Sequence, residues 1–362
     1  MTEKQYLVAL AAFITFGPAR IKLLLEYFGK ASKVWQAPRV KLLELGLKEK
    51  YVASFDEFRN KFNNEQYFNQ LKQQKIEVLT INDKLYPARL SQIDDAPMAL
   101  YIKGEFKQED EVCIAVVGSR KITNYGREAA YKLSSELAAS GVTIISGLAL
   151  GVDGVAHQAA LDVRGRTLAV VGTGLDQVYP PIHKKLADNI IKSGAIISEY
   201  PLGYPALPAN FPYRNRIISG MSLGVLVIEG TEKSGTLLTA AHAAAQGRDV
   251  FAVPGPITSI NSAAPHILLK NGAKLVSKAQ DILEELKVGQ RTRNIANRKI
   301  LLETEEEKLL INLLENEPLH IDEILRNVEM ANGLVLSTLT TMELKGIVKN
   351  IGGNIYQLIE ML

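Results

Sequence analysis

The residues best equipped for chemistry are cations standing where cations are out of place. In the stretch PANFPYRNRIISG, Pro212 is suited to open a helix, with Asn210 or Phe211 near its cap. Arg214 and Arg216, on either side of Asn215, then fall in about the first turn, where the helix field disfavours positive charge. Such arginines need an external anion or a buried carboxylate partner. Phe211 can be an apolar staple at the helix entry or a flat surface on which a nucleobase stacks. A second site of this kind is VVGSRKITNYG, where an apolar β-branched run ends in Gly118 and Ser119 and is followed at once by Arg120 and Lys121. Guanidinium forks grip phosphate bidentately and an aromatic ring stacks on any base. The combination suits single-stranded nucleic acid without sequence preference.

Small-residue turns add to this: SGLALGVDG with Gly147, GTG at 172–174, and EGTEKSGT with Lys233, Ser234, Gly235 and Thr236. Glycine lets backbone N–H groups approach an anion, and a following helix N-terminus adds a favourable field. Such turns also occur in any α/β domain, and the standard nucleotide motifs fail. GTEKSGT lacks the glycine-lysine-serine end of a P-loop, and GTGLDQ lacks the third glycine of the dinucleotide fingerprint. Asp153, His157, His183, Glu199 and Glu229 are the titratable groups an enzyme could use. A histidine at a helix end is more often structural, and Asp153 suits a cap for the helix that follows it. No catalytic residue, metal ligand or cofactor is expected.

The elements that must position these residues follow from the hydrophobic pattern. The chain has 362 residues, 47% of them hydrophobic and 22% charged, with a net charge of +3. That is globular composition with room for two or three domains, and a charge too small to name a polyanion partner. From about Ile76 short apolar runs alternate with helical patterns: CIAVV, VTIIS, TLAVV, AIIS, GVLVI, DVFAV and AKLV. Near-continuous apolar strands joined by single helices predict an extended Rossmann-like, mainly parallel sheet over residues 76–286, with ligands outside the carboxyl ends of the strands. Gly118–Lys121 falls there. Residues 1–75 read as a small helical domain turning at Gly17-Pro18 and Gly46. It can be plain packing or a helix-hairpin-helix that offers backbone N–H groups to phosphates. Residues 287–303 form a basic linker (Lys287, Arg291, Arg293, Arg298, Lys299), and 304–362 read as a winged helix with a Gly-Gly turn between its last two strands. The single cysteine, Cys113, is expected in a core, since one thiol makes no internal disulfide. No run approaches the length of a spanning helix and the N-terminus lacks a signal-peptide pattern, so a cytoplasmic protein is expected.

The motifs VGSR, SGLALGVDGVAH, YPPIHKKL, SEYPLG, NFPYRNRIISG, EGTEKSGTLLTA and GRDVFAVPG occur in one order, and over about Asp83–Val276 the chain resembles the DNA processing protein A (DprA, or Smf) family. DKLYPARLSQIDDAPMALYIKG resembles that family's lead-in, whereas the end domains match it in architecture only. The resemblance implies a dimer that binds and shields single-stranded DNA in a basic pocket and loads the RecA recombinase during natural transformation. It carries the family's binding positions to Arg120, to Phe211, Arg214 and Arg216, and to Lys233–Thr236. After VPGPI this chain has NSAAPHILLKNGAKLV where the family usually has a glycine-x-asparagine segment.

Two other functions compete. Related phosphoribohydrolases place a glutamate at the end of a glycine-threonine-x-x turn, where this chain has Thr239, which cannot serve as that carboxylate. A duplex-reading regulator would use the winged helix, but its recognition segment LVLSTLTTMELK has one cation. For the dimer, a helix within HILLKNGAKLV is expected to supply Ile267, Leu268, Leu269 and Leu275 to the self-contact.

Overall fold

A computed structural model describes residues 1–288, 305–314, 317–328, 330–344 and 347–358. The chain divides into two compact units, 1–288 and 289–362. Beyond Val288 the basic linker lies outside the described residues.

The first unit is built on nine strands: β1 (Ile76–Thr80), β2 (Ala99–Gly104), β3 (Cys113–Val117), β4 (Thr143–Ser146), β5 (Thr167–Val170), β6 (Ala195–Ser198), β7 (Gly224–Val227), β8 (Asp249–Ala252) and β9 (Lys274–Leu275). Their order across the sheet is β1-β2-β6-β5-β4-β3-β7-β8-β9. From β6 to β9 all neighbours pair in parallel, whereas β1 and β2 are joined to each other and to β6 antiparallel. The seven apolar runs read from the sequence are the seven parallel strands. β1 and β2 were not legible as part of that series, because they add to the sheet without the strand–helix alternation that marks crossovers.

β3, β4 and β5 are buried along their whole length because helices cover both faces of the sheet. Alternate β3 residues Cys113, Ala115 and Val117 pack with Ile217, Ile218 and Met221 of the helix Asn210–Met221. Burying each large aliphatic side chain in such a layer contributes roughly 1.5–3 kcal/mol. Cys113 is in this core as expected, and burial pushes its thiol up to about 12. The topology also fixes where a ligand can sit. β4, β5 and β6 succeed β3 in one direction, whereas β7, β8 and β9 extend the sheet in the other. The register pairs Val117 with Val227, so the turns that follow β3 and β7 leave the sheet level with each other. Between them is the switch-point crevice of a doubly wound sheet.

The N-terminal helices, with turns at Gly17 (φ +63°) and Gly46 (φ +81°), close over an aromatic core. Phe13, Phe16 and Phe55 lie there with ring centroids 4.8–5.3 Å apart. Val8 and Leu71 carry this layer onto β1 and β2 through Ile76, Val78 and Tyr101. The Gly17-Pro18 turn faces Pro97 and Met98 across a small crevice.

In the second unit, helices Glu305–Leu314, Ile321–Asn327 and Asn332–Leu344 share a core with a three-stranded sheet of β10 (Leu319–His320), β12 (Ile355–Leu358) and β11 (Val348–Asn350). The expected Gly-Gly turn joins β11 to β12, with both glycines at positive φ.

Candidate functional site

The crevice between β3 and β7 opens into a cavity of about 330 Å³. Its first wall is the turn Gly118–Lys121. Gly118 has to be small because a Cβ there would press on Val152 of the helix Val152–Asp162. Ser119 Oγ accepts from Lys121 N at 3.1 Å and donates to Lys121 O, which tightens the turn. Arg120 and Lys121 are thereby left exposed at the rim. Asn261 donates from Nδ2 to Lys121 O at 3.0 Å and fixes the turn from the segment after β8.

The second wall is the start of the helix Asn210–Met221, which begins two residues before Pro212, so both arginines sit in its second turn. Phe211 is half-buried and lines the cavity, with the Arg120 guanidinium 5.7 Å from its ring centroid. Tyr179, from the YPPIHKKL segment, also packs near Phe211, with ring centroids 5.3 Å apart at an interplanar angle of 31°. The sequence reading gave Tyr179 no role. The signal that could have found it is its place at the start of a family motif, in a loop at the same sheet edge as Phe211.

The third wall is the turn before the helix Gly235–Ala245. Ser234 caps that helix by accepting from Thr236 N at 3.2 Å, and it also accepts from Thr236 Oγ1 at 2.7 Å. Ser234, Gly235 and Thr236 line the cavity, whereas Lys233 is exposed at the tip of the turn.

Arg214 forms the floor. It is 3% exposed, and its Nη1 donates to Gly147 O at 2.8 Å and to Val170 O, tying together the ends of β4 and β5. A Cβ on Gly147 would press on this guanidinium and come within 2.7 Å of Asp153 Oδ2, which is why the position holds glycine. Burial lowers the Arg214 pKa to about 10, with the neighbouring Asp153 carboxylate opposing the shift, so the group remains cationic at neutral pH. Asn215, whose Oδ1 accepts from Arg214 Nε at 3.3 Å, also lines the cavity.

Two residues expected at the interface are engaged elsewhere. Arg216 is 1% exposed, with Nη2 2.6 Å from Glu199 and Nε 2.9 Å from Asp95. Of the two partners its position required, it has the carboxylate, so it is removed from the proposed DNA-contacting set. Asn210 is buried and donates from Nδ2 to Gly172 O at 2.9 Å, which anchors the helix start to the end of β5. The expected dimer helix also needs correction. It spans Ala263–Lys270, and Leu275 belongs to β9. Leu268 packs against the sheet core, whereas Leu275 is 55% exposed.

The titratable groups an enzyme could use all have structural partners. Glu229 accepts from Thr123 N and Thr123 Oγ1 at the start of the helix Asn124–Ala139. Asp153 lies inside its helix and accepts from Gly147 N and Ala149 N at 3.1 and 3.2 Å, pinning the preceding loop. His183 Nδ1 contacts Leu148 O at 2.9 Å, and His157 is buried against Thr167. Asp153 alone of these lines the cavity.

The family model for DNA recombination-mediator protein A matches residues 77–287. The chain belongs to this family. A second model, for the DprA winged helix domain, matches residues 297–354. The Smf protein of Synechocystis is 33% identical over 98% of this chain and 99% of its own length. That of Escherichia coli is 47% identical over 60% of this chain, a match spanning 59% of the E. coli protein. Among solved structures, DNA processing protein A of Streptococcus pneumoniae superposes with a TM-score of 0.69 at 36% identity, covering 79% of this chain and 98% of that one. Its Helicobacter pylori counterpart, solved to describe a single-stranded DNA binding mode, gives 0.54 at 28% identity over 59% and 97%. The family thus joins a Rossmann-like sheet to a DNA-processing role. No helix among the described residues is long and apolar enough to cross a membrane.

Proposed function

We propose that this chain binds and shields single-stranded DNA at the switch-point cavity and helps load RecA recombinase onto it, in the cytoplasm, during DNA uptake by natural transformation. The observation that carries the reading is the meeting of the exposed Arg120 with the half-buried Phe211 at one cavity, above the buried cation Arg214. An arginine beside an accessible ring is the pairing that holds a phosphate and stacks its base. The H. pylori relative, whose structure concerns single-stranded DNA binding, supports the same ligand. The RecA step rests on family membership. No enzymatic step is assigned, because Glu199 and Glu229, the carboxylates that could supply one, are occupied by Arg216 and Thr123.

A homodimer is part of this reading. β9 is an edge of the sheet, and Leu275 on it is 55% exposed, with Ile257 and Ile260 in the preceding segment 92% and 77% exposed. An unpaired sheet edge that carries an exposed aliphatic side chain is a surface that favours self-association.

The test is single-stranded DNA binding by the wild type and Arg120→Ala across a salt series. The expected result is weaker binding by the variant and a log–log slope smaller by about 0.7. An unchanged slope and affinity would remove Arg120 from the interface.

A further inference from the structure

Next to the cavity, and sharing Arg120 and Lys121 with it, lies a larger groove of about 990 Å³. It runs over the helices Asn124–Ala139, Val152–Asp162 and Lys184–Ser193. None of its other residues has a part in the reading above.

Arg127 and Lys185 contribute two more exposed cations to it, and among the described residues neither has an ion-pair partner. No aspartate or glutamate lines the groove. An unmatched pair of cations in a concave, carboxylate-free surface concentrates polyanions. The groove is not only basic. Tyr131 is 43% exposed, its hydroxyl held 3.1 Å from Asp162, and Ile182 is 78% exposed. Exposed aromatic and aliphatic surface in the same groove as cations suits unpaired bases. A duplex keeps its base faces stacked and presents only groove edges and backbone.

We infer that a strand seated in the cavity continues past Arg120 and Lys121 into this groove, with phosphates on Arg127 and Lys185 and a base against Tyr131. This rests on the single-strand reading of the cavity and adds a second stretch of nucleotides to it.

The test uses the full chain with labelled oligothymidylates of roughly 5 and roughly 16 nucleotides, spanning the usual range of single-strand site sizes. For the double variant Arg127→Ala/Lys185→Ala, binding of the short strand is expected to stay within about twofold of wild type. The long strand is expected to bind about tenfold more weakly, with a log–log salt slope smaller by about 1.4 for two lost phosphate contacts. Tyr131→Ala is expected to weaken the long strand alone, with its slope unchanged. Since all three side chains are exposed, melting curves should match wild type. Long-strand affinity and slope equal to wild type in the double variant would overturn the inference, as would equal losses for both lengths. If Arg120→Ala weakens both lengths while the double variant alters neither, the groove alone fails. If the wild type shows no salt-dependent binding at either length, the cavity reading fails and the groove with it.

Discussion

Two arginines expected at the same interface have opposite duties, and Arg216 and Arg120 separate cleanly. Arg216 is paired with Glu199 inside the protein, whereas Arg120 stands exposed over Phe211. Truncating one member of a buried ion pair leaves the other charge uncompensated, so Arg216→Ala is expected to cost about 3–5 kcal/mol of folding stability. Arg120→Ala should change stability by no more than about 0.5 kcal/mol. Denaturant unfolding of both variants checks this. Phe211→Ala is expected to weaken strand binding by about 1–3 kcal/mol with the salt slope unchanged, since stacking releases no counterions. A packing role would show instead as lost thermal stability at near-normal affinity. His157 gives a pH test. Thr167 Oγ1 donates to Ile144 O, so it accepts from His157 Nδ1–H, and the buried Nε2 is left without a partner. Burial, with the nearby His183 and Arg214, lowers the His157 pKa to about 3. A folded-state value below the unfolded one means that the unfolded chain binds more protons between the two. Stability from this group is therefore intact above about pH 6.5 and falls on acidification towards 3, by about 2 kcal/mol at pH 5. His157→Gln should flatten that part of a stability–pH curve measured by urea unfolding.

At the scale of elements, the cavity is held by turns whose hydrogen bonds are made within the protein. Ser234 spans the start of the helix Gly235–Ala245, and Ser234→Ala is expected to cost about 1 kcal/mol through loss of the cap. Gly147→Ala should be more severe. Its Cβ would displace the guanidinium that ties β4 to β5, so both melting temperature and strand affinity should fall. The loss of both together, measured by calorimetry and fluorescence anisotropy, distinguishes a disturbed floor from a lost ligand. The segment after β8, which departs from the family's usual glycine-x-asparagine pattern, still supplies Asn261 to brace the Lys121 turn. Its divergence does not leave the site open.

For the whole molecule, charge is divided between the units. From 304 onward the chain has ten acidic and four basic side chains. The helix Asn332–Leu344, which in a winged helix would enter the major groove, presents Leu334 and Leu336 outward. Ser337, Thr340 and Thr341 on it donate to carbonyls of their own helix, so these hydroxyls are poorly placed to read bases. A chain ending at residue 303 is therefore expected to bind single strands as tightly as the full chain, as filter binding would show. For the proposed dimer, Leu275→Glu on the edge strand is expected to give a folded monomer by light scattering. That monomer should lose affinity for long strands by about 10²–10⁴, with short ones little affected, because two linked pockets make the second contact intramolecular.

Hydrophobic period determined the seven parallel strands, since a strand buried on both faces has to be apolar throughout and needs a helix to return to the same edge. The order of small-residue turns and the Gly-Ser-Arg and Phe-Pro-x-Arg-Asn-Arg motifs were enough to name the family and to single out Gly118–Lys121, Phe211, Arg214, Asn215 and Ser234–Thr236, which line the cavity. The tertiary structure alone decided which of the two buried arginines of one helix faces the cavity. Arg214 and Arg216 are two positions apart on one helix, about 200° around its axis, so they point to nearly opposite sides. One closes the floor of a cavity and the other meets a glutamate 17 residues earlier in the chain. The same holds for Tyr179, Asn261, Arg127 and Lys185, which come from separate segments and share a surface only after the sheet has brought its turns to one edge. A side chain's neighbours across a turn are set by strand order, and strand order is fixed by long-range packing that no local spacing records.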